Sequence, residues 1–336
     1  MEDGDKATTR RPSRLRRLVG PVLRVTGVLV LLLVSGCYLV AQPAWKSNSR
    51  SEMVADPARL RADVEMLSIT FHPRDWQSLE NLDRCADYIA DELRKAGADV
   101  EFQEYEALGK PYRNVIGRLG AGNGRKIIIG AHYDSYDDSP GADDNASAVA
   151  GMLELARMLG ANPPDLEVEF VAYTLEEPPF FRSAMMGSAI HAASVEDEKD
   201  RIMGVIVFEM IGYFSDEPGS QGYPHPLMRM FYPGTGNFIT VVSRWDQGAW
   251  IKSVKQGMKG ATPLPVYSFR APERLPGVDY SDHRSYWPHG IPSLMITNTA
   301  FHRNHAYHTT EDTADRLDYE RMGWVVVGVY ETIRGL

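Results

Sequence analysis

Residues 127–135 read Ile-Ile-Ile-Gly-Ala-His-Tyr-Asp-Ser, and residues 141–147 read Gly-Ala-Asp-Asp-Asn-Ala-Ser. The three isoleucines predict a buried β-strand that ends near the polar residues His132 and Asp134. Because side chains alternate along a strand, these two residues point to the same side of the strand end. A carboxylate beside a histidine is the usual arrangement that orients a metal-binding imidazole. The stretch therefore predicts a sheet whose strand end carries a candidate metal ligand.

Two adjacent acids, Asp143 and Asp144, follow Gly141 and precede an apolar, helix-forming run. Their carboxylates would repel each other on a glycine turn, and a bound cation would neutralise that repulsion. Simpler interpretations compete with this one. Asp-Asp-Asn before a helix commonly serves as an N-cap, and a histidine at a strand end is commonly a solvated loop residue. The role of the stretch therefore depends on the rest of the chain.

Composition and charge narrow the class of protein. The chain has 336 residues, of which 43% are apolar, and this suits a globular protein with a sizeable core. The net charge of −9 gives no indication of a nucleic-acid partner. Residues 1–24 carry a net charge of +4, so the remainder carries −13. The two cysteines, Cys37 and Cys85, do not indicate a disulfide framework.

A basic head followed by an apolar stretch indicates membrane attachment. Residues 25–41 are almost entirely apolar, and their number lies near the lower limit for a membrane-spanning helix. The positive-inside rule places residues 1–24 in the cytoplasm and the domain outside it, in the periplasm or beyond. An uncleaved signal anchor is the first interpretation. A lipoprotein signal is the second, because Val34-Ser35-Gly36-Cys37 resembles a lipobox, although apolar residues continue after Cys37.

Residues 42–56 are predicted to form a polar linker, and residues 57–336 a single domain. Helical and alternating apolar patterns follow each other along this domain, which predicts an α/β sandwich. The predicted helices cover residues 57–70, 76–96, 146–159, 246–258 and 318–333. The predicted strands cover residues 100–107, 115–119, 127–132, 166–174, 203–208, 238–242 and 293–297.

Further acids and a histidine lie at or after predicted strand ends. Glu176 and Glu177 follow one strand, Glu209 closes another, and His308 lies in a polar segment. Adjacent acids at a strand end point in different directions, so one can bind a metal while the other stays free as a base. Taken singly, each of these residues has an ordinary explanation as a solvated loop residue. In open α/β sheets, sites form outside the carboxyl ends of the strands, and this ligand set would suit two zinc ions about 3.5–4 Å apart.

Six segments together resemble the co-catalytic zinc exopeptidases of metallopeptidase family twenty-eight. This family includes bacterial leucyl aminopeptidases, glutamate carboxypeptidase and glutaminyl cyclase. The segments follow the family order from about Trp76 to the C-terminus and comprise Gly130–Ser135, Gly141–Ser147, Glu176-Glu177, Gly187-Ser188, Ser281–His283 and His308–Asp312. The resemblance implies a three-layer α/β/α sandwich with a mixed, mostly parallel central sheet. It also implies a zinc-dependent exopeptidase that acts on peptides, most simply an aminopeptidase.

Carried over residue by residue, the resemblance implies two zinc ions per chain. Asp144 would bridge both ions. His132 and Glu209 would complete one zinc site, and Glu177 and His308 would complete the other. Glu209 stands where many family members have aspartate, so its extra methylene group could change how the carboxylate binds.

The resemblance also implies the catalytic groups. Glu176 would be the general base, which takes a proton from the attacking water and passes it to the leaving amine. Asp134 would orient the first histidine, and Tyr307 is a candidate for polarising the substrate carbonyl. A cis peptide bond is expected between Asp143 and Asp144.

Three alternatives stay open at this point. The first is a glutaminyl cyclase-like acyltransferase with a single zinc ion, and the second is a catalytically inactive ectodomain that binds a partner. The third is a carboxypeptidase for acidic substrates, which would need cationic groups such as Arg270, Arg274 or Arg284 in its pocket. The segment Pro178–Phe181 replaces a shorter, glycine-containing turn of the secreted aminopeptidases, so their specificity cannot be transferred. The sequence does not determine the oligomeric state.

Overall fold

The computed structural model describes residues 14–44, 47–121 and 124–336. Within these ranges the chain forms seven α-helices and eight β-strands. The helices are α1 Arg14–Ala41, α2 Pro57–Glu65, α3 Leu79–Lys95, α4 Ala148–Ala161, α5 Gly187–Ser194, α6 Gly248–Met258 and α7 Tyr319–Arg334. The strands are β1 Asp99–Ala107, β2 Lys110–Leu119, β3 Lys126–His132, β4 Glu167–Tyr173, β5 Ile202–Glu209, β6 Ile239–Arg244, β7 Val266–Ala271 and β8 Ser293–Thr297.

The described strands form one mixed sheet in the order β1-β2-β4-β3-β5-β8-β6-β7. The central strands β4, β3, β5 and β8 are parallel to one another, whereas β2 is antiparallel to β4 and β6 is antiparallel to β8. The carboxyl ends of the four central strands therefore share one end of the sheet, which we call the site end. Because β7 runs parallel to β6, both strands finish at the opposite end, which we call the far end.

Helices cover both faces of this sheet. The isoleucines of β3 alternate between two cores: Ile127 and Ile129 pack with residues of α3, α4 and α7, while Ile128 packs on the other face with α5 and the turns before β8. A strand that is buried on both faces needs a continuous apolar run, which explains three successive isoleucines. The predicted three-layer α/β/α sandwich with a mixed, mostly parallel sheet is confirmed.

Two elements escaped prediction. Strand β7 is an edge strand with the burial pattern of a half-exposed segment, so its sequence Val-Tyr-Ser-Phe-Arg-Ala does not alternate clearly. Helix α5 has eight residues and includes glycine and two serines, which is too short for a periodic apolar stripe. The other predicted helices and strands lie within a few residues of the observed ones.

The N-terminal region contains the helix α1. Its segment Pro21–Ala41 is long and apolar enough to cross a membrane, with a mean hydropathy of 2.1. After this helix, the backbone N–H of Asn48 donates to Lys259 O and that of Ser51 donates to Ala261 O. The first 13 residues of the predicted basic segment and the side chain of Cys37 lie outside the described part of the chain. The predicted domain boundaries stay predictions.

A fully buried arginine connects α2 and its following turn to the loops at the site end. Arg74 donates hydrogen bonds to the carbonyl oxygens of Tyr133 at 2.9 Å, Pro140 at 3.0 Å and Gly141 at 3.0 Å. It also donates to Leu67 O, in the turn that continues α2. Burial lowers the pKa of Arg74 from its ordinary value, and the carbonyl oxygens satisfy its donors. This one side chain therefore links four carbonyl groups on three backbone segments.

Close packing of α4 against the end of α3 generates a stability prediction. At Gly160 of α4, an added Cβ atom would lie 1.9 Å from the carbonyl oxygen of Ala96. We expect Gly160→Ala to destabilise the protein by about 1–3 kcal/mol, because the backbone must shift to admit the methyl group. The measurement is the midpoint of urea unfolding of the purified protein.

Gly323→Ala in α7 is the matched control, because an added Cβ there would meet its nearest atom at an ordinary 3.4 Å. We expect this variant to be neutral or more stable by about 0.5–1 kcal/mol, since alanine favours the helix. Equal effects of the two substitutions would contradict the close approach of α3 and α4.

Candidate metal centre

The site end of the sheet carries the polar residues that the sequence singled out. His132 is the last residue of β3 and pairs with Tyr173 at the end of β4, so that Glu176 and Glu177 follow close by. Glu209 is the last residue of β5. Parallel neighbours in register thus bring residues that are far apart in sequence to one place.

Two groups of candidate metal ligands form there and share Asp144. His132 Nε2 lies 3.5 Å from Asp144 Oδ1 and 3.5 Å from Glu209 Oε2. His308 Nε2 lies 3.2 Å from Asp144 Oδ2 and 3.1 Å from Glu177 Oε2. Within each group the ligand atoms lie within 4.8 Å of one another. The structure thus brings all five candidate ligands together, with one oxygen of Asp144 facing each group.

The charges of these groups fit a cation. Burial raises the pKa of Glu177 to about 8, and repulsion from Asp144 adds to this. Burial likewise raises the pKa of Glu209. Burial also opposes the ionisation of Asp144, but the nearby imidazoles of His132 and His308 outweigh it and hold the pKa of Asp144 below its usual range. Clustered carboxylates of this kind ionise together most easily around a positive ion.

Buried polar atoms without hydrogen-bond partners are also consistent with a metal site. Glu177 Oε1 and His308 Nε2 are buried and lack a hydrogen-bond partner. Unpaired buried polar atoms are costly, and coordination to a cation would satisfy both. The donor set consists of imidazole nitrogens and carboxylate oxygens, which are ligands that zinc accepts.

Asp134 connects the end of β3 to the Glu176-Glu177 turn. Its Oδ1 atom lies 3.5 Å from His132 Nδ1 and accepts a hydrogen bond from the backbone N–H of Glu176 at 3.2 Å. Its Oδ2 atom accepts from the N–H of Glu177 at 3.1 Å. One buried carboxylate therefore faces the ring of one candidate ligand and fixes the backbone of another.

Asp143 does not face the candidate ligands, which corrects the idea that a cation is needed to separate it from Asp144. Its carboxylate accepts hydrogen bonds from two backbone amides, of Gly212 and Tyr213, and from two side-chain amides, of Asn298 and Asn304. These four amides partly offset the burial of the carboxyl group, which still raises the pKa of Asp143 above its ordinary value. The sequence could not reveal this, because the donors lie more than sixty positions away.

The backbone around this pair also differs from expectation. The cis peptide bond lies between Asp144 and Asn145, whereas the resemblance predicted it one residue earlier, so that prediction is wrong. The carboxylate of Asp312 accepts hydrogen bonds from the backbone N–H groups of Asp143 at 3.1 Å and Asp144 at 3.0 Å. These bonds hold the shared candidate ligand from the side opposite the two groups.

Two tyrosine rings enclose the imidazole of His308. The ring of Tyr136 stacks on it with a centroid separation of 4.1 Å, and the ring of Tyr307 stacks on the other side at 3.7 Å. Tyr307 was a candidate from the sequence, whereas Tyr136 was missed, since nothing local marks a residue so far away in the chain. Burial raises the pKa of Tyr307, so its hydroxyl stays protonated and can donate a hydrogen bond.

Ser281 and Asp282 are further residues near the site. Both belong to a segment that resembles the family, but no role was predicted for either residue. Ser281 Oγ donates to Glu209 Oε2 at 2.7 Å, which fixes one oxygen of this candidate ligand. Asp282 is fully buried, and burial raises its pKa to about 7. Only the segment Ser281–His283 could have marked them.

An apolar pocket opens beside Glu209. Its walls are mostly aromatic and aliphatic and include Tyr223, Met228, Tyr232, Phe238, Val242, Phe269, Met295, Phe301 and Tyr307. Among the described residues that line it, Glu209 is the only one with a formal charge. Arg274 and Arg284 instead border a separate depression, and Arg270 contacts Trp245 at the far end of the sheet.

Comparisons with known proteins agree with this site. The chain is 48% identical to the uncharacterised protein YfbL of Escherichia coli (strain K12) over 82% of this chain and 87% of that protein. It is 25% identical to leucine aminopeptidase 1 of Metarhizium robertsii, over 80% of this chain and 66% of the fungal protein.

Solved structures share the fold. The zinc aminopeptidase BSAP of Bacillus subtilis matches with a TM-score of 0.68 at 16% identity, over 84% of this chain and 96% of that one. The glutaminyl cyclase of Bacteroides thetaiotaomicron matches with a TM-score of 0.63 at 19% identity, over 87% of this chain and all of that one. The profile of peptidase family M28 matches residues 114–331. The predicted resemblance and enzyme class are thus confirmed: the chain belongs to peptidase family M28 and is a zinc-dependent metallopeptidase.

Proposed function

We propose that this protein is an aminopeptidase that binds two zinc ions and removes the N-terminal residue from peptides. The observation that carries the proposal is the pair of ligand groups joined by Asp144 next to an apolar pocket. In this proposal His132 and Glu209 complete one zinc site, and Glu177 and His308 complete the other. When bound, zinc supplies a Lewis acid for the carbonyl and lowers the pKa of water.

We propose Glu176 as the general base. It is buried, and its Oε2 atom lies 3.9 Å from His132 Nε2, at the border of the first ligand group. Burial raises the pKa of Glu176 above its ordinary value, so this carboxyl can hold a proton between two steps of a reaction. Glu176 would accept a proton from the attacking water and deliver it to the leaving amine. Tyr307 would donate a hydrogen bond to the substrate carbonyl oxygen.

The charge of the site supports an aminopeptidase over a carboxypeptidase. The pocket beside the ligands contains no arginine or lysine among its described lining residues, and its one formal charge is the carboxylate of Glu209. Without a lysine or arginine among these residues, the pocket offers no partner for a terminal carboxylate, which favours an aminopeptidase. The apolar walls would bind the side chain of the first residue, preferably a large apolar one.

Membrane attachment and location belong to the same proposal. We propose that the apolar part of α1 anchors the protein in the cell membrane and that the catalytic domain lies outside the cytoplasm. The apolar length of Pro21–Ala41 and the basic residues before it support this. The proposed organisation is a basic segment 1–24, an anchor 25–41, a connecting segment 42–56 and a peptidase domain 57–336.

Substitution of the proposed base tests its role. We expect Glu176→Gln to lower kcat by about 10²–10⁴-fold, because the amide cannot accept the proton. Its zinc content should equal that of the parent, since Glu176 is not a proposed ligand. Glu177→Gln is the matched control, and it should lose zinc as well as activity. Steady-state kinetics and elemental analysis provide both readouts, and near-parental activity of Glu176→Gln would contradict the assignment.

Metal content tests the two-ion proposal. We expect the purified protein to bind about two zinc ions per chain, and chelation should abolish activity that zinc restores. His308→Ala should retain the ion that His132 and Glu209 hold. A single tightly bound zinc ion together with pyroglutamate formation from N-terminal glutamine would instead indicate the cyclase alternative. Absence of metal after preparation with zinc would indicate the inactive binding domain.

A panel of peptides tests which end of the substrate is cleaved and which side chain the pocket prefers. We expect peptides with a free N-terminal leucine or phenylalanine to exceed those with N-terminal aspartate by at least about tenfold in kcat/KM, because the described pocket walls are apolar and offer an aspartate no cationic partner. Acetylation of the N-terminus should abolish cleavage. Equal cleavage of acetylated peptides would contradict an aminopeptidase, and release of C-terminal residues would indicate a carboxypeptidase.

A further inference from the structure

The peptidase domain binds the last turn of α1 directly. The carbonyl oxygen of Ala41 accepts hydrogen bonds from Lys255 Nζ at 2.8 Å and from Ser268 Oγ at 2.8 Å. Lys255 also donates to Gln42 O at 3.0 Å. In addition, Arg270 Nε donates to the carbonyl oxygen of Leu39. We call this set of donors, Lys255, Ser268 and Arg270, the anchor socket.

The unpaired carbonyl groups and the dipole of a helix C-terminus explain why the anchor socket binds this turn. The last four carbonyl groups of a helix have no partner within the helix, and cations near this end interact favourably with its dipole. The two cationic side chains, Lys255 and Arg270, meet both needs. The contact continues along the chain, because Lys259 donates to Ala44 O and the N–H of Asn48 donates to Lys259 O at 2.8 Å.

Both proposed modes of anchoring retain this contact. An uncleaved signal anchor keeps the whole of α1, and a lipoprotein would begin at Cys37, two positions before Leu39. In either case the bilayer lies within a few residues of the anchor socket. A few residues span at most about 3.5 Å each, so the domain cannot swing freely as it could on a long linker.

The position of the anchor socket fixes which end of the sheet faces the bilayer. Ser268 and Arg270 belong to β7, and Arg270 also donates to Trp245 O at 3.2 Å, directly after the end of β6. Ser268 lies in the middle of β7, where it pairs with Val241, whereas Arg270 and Trp245 lie nearer the far end. Because α1 contacts Ser268 through Ala41 and Arg270 through Leu39, the helix runs towards the far end as it leaves the domain. Trp245 is 40% exposed there, with the guanidinium group of Arg270 at 5.6 Å from its ring. Tryptophan and arginine suit the interface between lipid and water.

The metal centre lies at the site end, because β3 and β5 are antiparallel to β6 across β8. Glu209 is level with Thr240 through Thr297, and Trp245 follows Thr240 by five residues, which corresponds to a separation of about 17 Å along the strands at ~3.3 Å per residue. We propose that the anchor socket holds the far end against the bilayer, so that the enzyme trims peptides dissolved in the aqueous compartment rather than N-termini held at the lipid surface. This inference rests on the proposed anchoring and aminopeptidase activity.

Energy transfer to the membrane tests the orientation without relying on activity. The full chain, with Cys37→Ser and the buried Cys85 unchanged, is inserted into vesicles of phosphatidylcholine and phosphatidylglycerol that contain an acceptor lipid. A donor dye is attached to Asp246→Cys at the far end or to Asp138→Cys in the loop after β3, where the native side chains are 57% and 81% exposed. We expect stronger transfer from position 246 than from position 138. Equal or reversed transfer would overturn the proposal.

Removal of one donor of the anchor socket, Arg270, together with Lys259, which binds the segment after α1, should reduce this difference. In the double variant Arg270→Ala/Lys259→Ala we expect transfer from the two positions to become more similar, because the domain can then tilt. Lys252→Ala is the matched control: it removes a positive charge from α6, and Lys252 donates to none of the described carbonyl groups of residues 39–44. An unchanged difference in the double variant would overturn the role of the socket.

Cleavage of tethered peptides tests the consequence for substrates. A leucyl peptide is offered free, or coupled through its C-terminus to a lipid by a short or a long flexible spacer. We expect the short-spacer peptide to be cut at least about tenfold more slowly than the other two, because a tether that cannot span the distance prevents binding. Equal rates would overturn the inference. If the free peptide is not cut, the proposed activity fails, and energy transfer still decides the orientation.

Discussion

Repulsion among buried carboxylates is the constraint that shapes the site end of the sheet. Two such charges 4 Å apart repel by about 4 kcal/mol at the effective dielectric constant of a protein surface. The buried acidic side chains have two kinds of surroundings. The carboxylates of Asp134 and Asp143 each accept hydrogen bonds from two backbone amides, so protein donors surround them. Asp144, Glu177 and Glu209 instead face histidines and one another, which leaves a place for cations.

Strand register turns this arrangement into a rigid one. His132 and Glu209 are the terminal residues of strands that pair within the sheet, so the backbone ladder sets their separation. The supporting hydrogen bonds come from elements far away in sequence, such as Asp312 beneath Asp144 and Ser281 beside Glu209. The side chains of His132, Glu209 and His308 therefore each contact a neighbour that restricts their rotation. Hydrogen bonds from the N–H groups of Asp144 and Glu177 fix their backbone. Such support favours binding a metal in a defined geometry.

The sequence predicted the elements of the fold well because the central strands are long, apolar and buried. The three successive isoleucines in β3 are typical of a strand that is buried on both faces. The half-exposed strand β7 has no clear alternation of apolar and polar residues. The structure also brings together the five residues singled out as ligands, since each follows a strand or lies in a recognisable segment. Tyr136 and the amide donors to Asp143 escaped notice, because contacts across the tertiary fold leave no local signal. The placement of the cis peptide bond was wrong by one residue for the same reason.

The hydrogen bonds of Arg74 indicate where the folding unit of this protein begins. The family profile starts at residue 114 and the recognisable family segments start near Trp76, yet Arg74 lies upstream of both. Its guanidinium group satisfies carbonyl oxygens on both sides of the loop that joins His132 to Asp144. A fragment trimmed to the matched region would lack Arg74. The carbonyl oxygens that this residue binds would then have lost their hydrogen-bond donor, and the loop would be unsupported. The smallest autonomous enzyme therefore includes Arg74 and the helix α2 that precede its family signature.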